Sequence, residues 1–349
     1  MQGESHIRAL DQAAPGRDDG LHVVITGAAG MLGRKLAAVL ARDGVVGSAP
    51  VARLTLVDVV EPEAPAAAGF AVEAVAADLT APAAAAKLVA GRPEIVFQLA
   101  AVVSGEAETD FEKGYRVNLE GMRLLLEAIR MLGDDYRPRL VFSSSIAVFG
   151  PPFPAAIGDD HCAAPLTSYG TQKAMAELLL ADHSRRGFVD GVGIRLPTIC
   201  VRPGKPNLAA SGFFSSIIRE PLNGQEAVLP VQDDVRHWFA SPRAGVGFLL
   251  HAAALPPEAL SERRCLTMPG VSATVAEQIA ALGAIAGPGA VRLIRRQPDE
   301  TIMRIVAGWP GRFDARRALE LGFRAETDFE EIVRVHVEDE LHGRLGAPA

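Results

Sequence analysis

The sequence predicts an α/β fold, a doubly wound parallel sheet with a smaller, mixed C-terminal lobe. Two observations carry it. Short apolar, β-branched runs alternate with amphipathic stretches of helical period over the first 200 residues, the pattern of repeated βαβ units. The first of those runs also ends in a glycine turn, "TGAAGMLG", that opens straight into a helical pattern. A chain of 349 residues is long enough for one large α/β domain with an appended lobe, or for two domains.

The elements follow in order. Residues 1–20, "MQGESHIRALDQAAPGRDDG", are polar without a sustained period and are expected to form a disordered leader. "LHVVIT" (21–26) reads as a buried strand. After the glycine turn, "MLGRKLAAVLARDG" has the apolar spacing of an amphipathic helix. "ARLTLVDV" (52–59), "FAVEAVAADL" (70–79) and "EIVFQLAA" (94–101) give the second, third and fourth strands. "DFEKGYRVNLEGMRLLLEAIRML" (110–132) spaces Leu, Met and Ile as a helix does, and "PRLVFSSS" (138–145) is a fifth strand. "SYGTQKAMAELLLADHSRRG" (168–187) is a helix with Gly187 beyond its end, and "VGIRLP" (192–197) is a sixth strand. Right-handed crossovers between such strands produce a doubly wound sheet.

The alternation weakens beyond about residue 200. "RPGKPN" and "PLNGQ" are loop-like, and "ASPRAGVGFLLHAA" (240–253) reads as one more helix. Residues 21–200 are therefore expected to form the first domain. Residues 201–349 are expected to form mainly a lobe closing over the C-terminal edge of the sheet, with about 228–253 returning to the first domain.

Composition removes several classes of function. A net charge of −7 and a pI near 5.7 argue against a nucleic-acid partner, which needs a clustered basic surface. Apolar stretches such as "VGFLLHAAAL" are too short to span a bilayer, so no membrane association is expected. No basic start followed by an apolar core marks the N-terminus, and Cys162, Cys200 and Cys265 are far apart and odd in number. A cytoplasmic chain with reduced thiols is expected. The eight histidines form no HExxH and no Cys/His cluster, so no metal site is expected.

Gly27, Gly30 and Gly33 stand three apart between a strand and a helix. Glycines there allow a tight turn, close approach to a pyrophosphate and close helix–strand packing, while the helix N-terminus offers free N–H groups. Asp58 ends the second strand, where a carboxylate can accept from both hydroxyls of an adenosine ribose and repels a 2′-phosphate. That favours NAD over NADP. Asp78, in "AADL", follows the third strand and is placed to face the adenine.

Tyr169 and Lys173 lie four residues apart, side by side on one helix face, at a helix start near the C-terminal edge of the sheet. A phenol with its ordinary pKa near 10 is a poor base at neutral pH, and a nearby ammonium and a cationic nicotinamide favour the phenolate. A third group must hold the substrate oxygen. Alternation along "VFSSSIAVFG" leaves Ser144 and Ser145 as candidates.

In the order "TGAAGMLG", Asp58, "AADL", "FQLAA", "YRVNLEG", "FSSSIAVFG" and "YGTQK", the chain resembles the extended short-chain dehydrogenase/reductase family, which includes nucleotide-sugar epimerases and dehydratases. The resemblance implies a Rossmann domain that binds NAD, with Ser145 as catalytic serine, Tyr169 as acid/base and Lys173 as the lysine holding the ribose. It implies further cofactor contacts from Gly27, Gly30, Met31 and Leu32, from Asp58, Asp78 and Leu79, from Leu99, Ala100 and Ala101, and from Asn118 and Pro197. The family often forms homodimers through the two helices that here hold Asn118 and Tyr169.

Two stretches depart from the epimerase pattern. "RLPT" puts Thr198 where those enzymes have an Asn that helps hold the sugar nucleotide, and "RHWFASPR" keeps Arg236 but puts Arg243 where an Asp is usual. These weigh against a nucleotide-sugar substrate. "AAVVSGEAE", "RLPTICVRPGKPNLAASGFFSSIIREPLNGQ", "RHWFASPRAGVGFL", "LTMPGVSATVAEQI" and "RIVAGWPGRFDARRALELGF" look closer to one branch of the family, the D-erythronate dehydrogenases, which are understood to oxidise C2 of a four-carbon sugar acid. A small aldonate needs a cation for its carboxylate and polar groups for its hydroxyls. Arg202, Lys205, Arg236 and Arg243 are candidates for the first; Ser104 to Glu106, Ser145, Tyr169 and Thr198 are candidates for the second.

The expectation is an NAD-dependent dehydrogenase acting on D-erythronate or a close aldonate. The alternatives are an epimerase or dehydratase that retains its NAD, and a non-catalytic NAD-binding regulator.

Overall fold

Val23 and Ile25 of the first strand pack into one buried core and Val24 into another, so helices must cover both faces of the sheet. The structure, a computed structural model, describes residues 20–204 and 211–345; the expected leader (but for Gly20) and Lys205 lie outside the described residues.

The first half runs β1 (Leu21–Thr26), α1 (Met31–Asp43), β2 (Val45–Val46), β3 (Ala49–Asp58), β4 (Ala71–Ala76), α2 (Pro82–Ala90), β5 (Ile95–Gln98), α3 (Ser104–Thr109), α4 (Phe111–Gly114), a π-helical turn (Tyr115–Glu120), α5 (Gly121–Arg130), β6 (Arg139–Ser145), β7 (Ile157–Gly158), α6 (Ser168–Arg185) and β8 (Asp190–Leu196). The second runs β9 (Thr198–Ile199), α7 (Gly212–Leu222), β10 (Ala227–Leu229), β11 (Arg236–Ala240), α8 (Pro242–Ala254), β12 (Cys265–Thr267), β13 (Val271–Thr274), α9 (Val275–Val291), β14 (Ile294–Arg296), α10 (Glu300–Ala307), β15 (Phe313–Asp314), α11 (Arg316–Glu320) and α12 (Phe329–Leu341).

Strands pair in parallel in the order β4-β3-β1-β5-β6-β8-β12, with the short β2 antiparallel beside β3. From β1 the chain winds outward through β3 and β4, then returns past β1 to β5 and winds the other way. The crevice where the order reverses lies between β1 and β5, where ligands bind in such sheets. Thr26 closes that point: its hydroxyl donates to Gln98 Oε1 at 2.5 Å and accepts from Leu99 N at 3.3 Å, locking the ends of β1 and β5 together.

α1 and α8 cover one face of the sheet, through Leu36, Leu40, Phe248 and Leu249; α2, α5 and α6 cover the other, through Leu88, Leu125 and Leu180. The lobe has its own core, in which α7, α9 and α12 pack around Phe214, Phe239, Leu282 and Ile332. Its short sheets are the mixed β9-β11-β13 and the parallel pair β10-β14.

The C-terminal half differs from expectation in two places. Of the stretch expected to return to the first core, Ala240 and α8 pack there, whereas Ala227, Leu229 and Phe239 fill the lobe core, β10 pairing with β14 and β11 with β9 and β13. The sheet also gains a seventh parallel strand, β12, beside β8. Three residues are too few to show a period, so pairing alone makes "CLT" a strand. No helix among the described residues is long and apolar enough to cross a membrane.

Candidate active site

The glycine turn has steric reasons to be glycine. Gly27 has φ +70°, and a Cβ there would come within 2.6 Å of Ala100 N and 2.7 Å of the Leu99 carbonyl carbon. A Cβ on Gly33 would stand 2.4 Å from Gly27 O, so α1 sits directly against the turn. Gly30 caps α1 without a side chain. The leading N–H groups of α1 therefore lack intrahelical acceptors, and Gly30, Met31, Leu32 and Gly33 all face a cavity. Asp58 Oδ2 accepts from Ala29 N at 3.0 Å and Oδ1 from Val59 N at 2.7 Å, tying the acid to the turn. A backbone cradle that admits no Cβ, open helix N–H groups and an acid beside them fit a dinucleotide.

The cavity, about 450 Å³, lies where β1, β5, β6 and β8 end, and Gly308, Trp309 and Pro310 close it from the lobe. α6 starts on Thr167, whose hydroxyl accepts from Gly170 N at 3.1 Å. A Cβ on Gly170 would lie 2.1 Å from Ala147 O, so this glycine lets α6 begin hard against the loop after β6. That contact brings Tyr169 into the cavity that Ser145 lines, where the Ser145 Oγ also accepts from Ala147 N at 3.1 Å. One turn on, Lys173 is 2% exposed; its Nζ donates to Ser143 O at 2.8 Å and lies 5.7 Å from the Tyr169 ring centre.

Of the two candidate serines, Ser144 donates to Glu177 Oε1 at 2.5 Å, and Glu177 also holds Arg195 at 2.7 Å. That hydroxyl is spent on the scaffold, whereas the Ser145 hydroxyl acts on Tyr169.

Electrostatics qualify the expected role of Lys173. Tyr169 is half-buried as a residue, but its hydroxyl is enclosed, and burial pushes it up to about 12; the Ser145 hydroxyl and the Arg202 charge pull the other way. Lys173 is itself pushed down to about 7 by burial, against the pull of Glu177.

Ser104, Thr198 and Arg202 line the cavity, as do Leu99, Ala101 and Pro197. Arg202 is held by Ser211 Oγ at 2.8 Å. Several expected residues stand elsewhere. Arg236 pairs with Glu277 at 3.2 Å and donates to Ser272 O, and Arg243 pairs with Glu338 and Asp339 of α12 at 2.9 and 2.5 Å; neither lines the cavity. Both are held by carboxylates of the lobe. Glu106 pairs with Lys113 at 2.5 Å. Ala100 offers backbone beneath Gly27, outside the lining. Asp78 accepts from Thr80 N and Oγ1 at 2.9 and 2.7 Å, and Leu79 is buried in the core under α2 and α5. Asn118 is also outside the cavity. Its Oδ1 accepts from Val102 N at 2.9 Å, and its Nδ2 donates to Val102 O at 3.2 Å and Gln172 Oε1 at 2.8 Å. All its polar groups clamp the loop after β5 to α6.

Sequence reasoning missed His237 and Trp309, both of which line the cavity. His237 sits inside "RHWFASPR", where strand alternation separates it from Arg236, the residue with the visible charge. Trp309 follows α10 and carries no local signal of its position. Among the described residues no group of three His, Cys, Asp or Glu could hold a metal ion.

With that geometry in hand, similarity to known proteins is informative. The model of a family described as NAD dependent epimerase/dehydratase matches residues 23–240. The chain is 47% identical over 323 residues to a D-erythronate dehydrogenase of Cupriavidus necator, covering 91% of this chain and 98% of that one. It is 41% identical over 321 residues to a D-erythronate dehydrogenase of Haemophilus influenzae, covering 92% and 100%. It superposes with a TM-score of 0.91 on a solved structure described as a nucleoside-diphosphate-sugar epimerase from Agrobacterium tumefaciens, at 60% identity over 95% of this chain and 99% of that one.

Proposed function

We propose that this chain, which belongs to the NAD dependent epimerase/dehydratase family, oxidises the C2 hydroxyl of a small sugar acid, D-erythronate, to 2-oxo-tetronate. It is an NAD-dependent dehydrogenase of the extended short-chain type, and relatives at 41% and 47% identity support a sugar acid as its substrate. The observation that carries the finer reading is Arg202 in the same cavity as Ser145, Tyr169 and the glycine turn, which puts a cation beside the acid–base pair.

The residues divide the work as follows. Arg202 takes the substrate carboxylate in a charge-assisted hydrogen bond. Ser145 Oγ holds the C2 oxygen, and Tyr169 Oη, drawn towards the phenolate by the Arg202 charge and by the positive charge that bound NAD would add, accepts the proton of the C2 hydroxyl. The NAD nicotinamide supplies the acceptor for the hydride leaving C2. Lys173, beside the Tyr169 ring, holds the cofactor ribose. Met31 and Leu32 offer backbone N–H groups to the pyrophosphate, while the Gly30 N–H closes the turn on Gly27 O and its missing side chain lets the phosphates approach; Asp58 takes the adenosine ribose. The products are a C2 ketone, NADH and one proton.

A homodimer in the cytoplasm completes the reading. Phe111 on α4 and Met175 and Leu178 on α6 are exposed apolar residues on the helices expected to form its contact, and light scattering at twice the monomer mass checks it.

The testing experiment is NADH formation by purified protein given NAD and D-erythronate, L-threonate or D-threonate, with a UDP-sugar as control. Turnover of D-erythronate supports the reading; silence with all three acids sinks it. One observation favours a second reading, a nucleotide-sugar epimerase that retains its NAD: the description of the 60% identical structure. Tightly bound NAD in the purified protein with no net NADH from any acid selects that one.

A further inference from the structure

We propose that His237 is a positioning residue that makes the Thr198 hydroxyl an acceptor only, so that Thr198 reads a hydroxyl of the substrate. The inference rests on the aldonate reading above and adds to it a division of labour between Thr198 and Arg202.

The argument is one of counting hydrogens. His237 Nδ1 lies 3.1 Å from Pro310 O, and a carbonyl can only accept, so Nδ1 carries the ring proton. His237 Nε2 lies 2.6 Å from Thr198 Oγ1. In a neutral ring that nitrogen is bare, so the Thr198 hydroxyl donates its one hydrogen to it. The ring is 3% exposed, stacked on Phe214 at 5.3 Å and 5° between planes, with Trp309 at 5.2 Å and Phe239 edge-on at 5.4 Å. An apolar box of this kind disfavours a charged imidazole, and burial holds His237 down to about 4. Thr198 cannot swing away easily, because its strand, β9, pairs with Phe239 of β11.

Thr198 and His237 both line the cavity. With its hydrogen turned to His237, Thr198 Oγ1 shows a ligand only lone pairs. It repels a carboxylate oxygen and accepts from a C3 or C4 hydroxyl. Sites built to bond a hydroxyl reject analogues that lack it, because the buried partner is left unpaired.

The test uses the full-length enzyme with NAD. D-erythronate is compared with 2,4-dihydroxybutanoate, which lacks the C3 hydroxyl, and 2,3-dihydroxybutanoate, which lacks the C4 hydroxyl, each matched at C2. Wild type should lose about 100-fold in kcat/KM on one analogue, the factor set by leaving a buried acceptor unpaired. Thr198→Val should lose a similar factor on D-erythronate, mostly in KM, yet treat that analogue almost as wild type does. Thr198→Ser should restore discrimination, and His237→Phe should abolish it. Full discrimination retained by Thr198→Val, or an effect of that variant confined to the KM for NAD, overturns the proposal. A second measurement needs no turnover. In protein labelled with ¹⁵N-histidine, the His237 ring, assigned by its loss in His237→Phe, should be neutral and protonated on Nδ1 at pH 7. A proton on Nε2 overturns the relay. Absence of aldonate turnover by wild type would sink the substrate reading and the hydroxyl assignment with it, while the tautomer still decides the relay.

Discussion

Tyr169 shows how much chemistry rests on one atom. Its hydroxyl is enclosed, shares a cavity with Ser145 and Arg202, and is pushed up to about 12 by burial. Tyr169→Phe keeps the ring and removes the proton acceptor, so kcat should fall by about 10³-fold while NAD affinity stays within about threefold; steady-state rates and NAD titration check both. Arg202→Ala removes a cavity cation instead. It should raise the KM for D-erythronate by about 100-fold, since the clamp acts on ground and transition states alike, with a smaller fall in kcat because Tyr169 loses the charge that draws its proton away. Equal losses in kcat and kcat/KM would contradict that role. That Tyr169 and Lys173 would line one cavity with a serine from the end of the fifth strand was legible because the signal is local: two residues one helical turn apart and serines at a strand end. The arginines were not. Arg236 and Arg243 look like Arg202 in the chain, yet carboxylates distant in sequence hold both of them outside the cavity.

At the level of the element, the β1–α1 turn is decided by backbone space. Gly27→Ala would require a Cβ 2.6 Å from Ala100 N at φ +70°, so the turn must shift or strain. A loss of ~2 kcal/mol or more in stability is expected, together with loss of NAD binding, read by urea unfolding and by NAD titration of the folded fraction. The acid at the end of β3 governs cofactor choice. Asp58→Ala should raise the NADP-to-NAD ratio of kcat/KM by about tenfold or more; an unchanged ratio would detach Asp58 from the ribose. Regular elements of the first half were legible because period and turn residues agree there: β1 and α6 begin where the sequence places them. The π-helical turn at Tyr115–Glu120, which seats Asn118 against Val102 and Gln172, was not legible, because helical spacing of apolar residues does not reveal one extra residue in a turn.

For the whole molecule, the buried site should leave a signature in pH-dependent stability. Lys173 falls to about 7 from its ordinary 10.5, so between those values the folded chain binds fewer protons than the unfolded one. Stability therefore rises with pH through that window, and below about pH 7 the full cost of the buried ammonium is in force. His237 and His336, each lowered by burial to about 4 from 6.5, act in the same direction lower down, so stability falls as pH drops from about 6.5 towards 4. Urea unfolding of the NAD-free protein between pH 5 and pH 9 should show both slopes, and Lys173→Met should flatten the one above pH 7. The sequence by itself determined the doubly wound sheet, the glycine turn and the Tyr169–Lys173 pair, because each is written in a local pattern of period, turn residues or helical spacing. Tertiary structure decided the seventh strand, which arginine enters the cavity, and the meeting of Thr198, His237 and Pro310. Those depend on where side chains far apart in sequence point once two cores have packed, and hydrophobic periodicity carries no information about that direction.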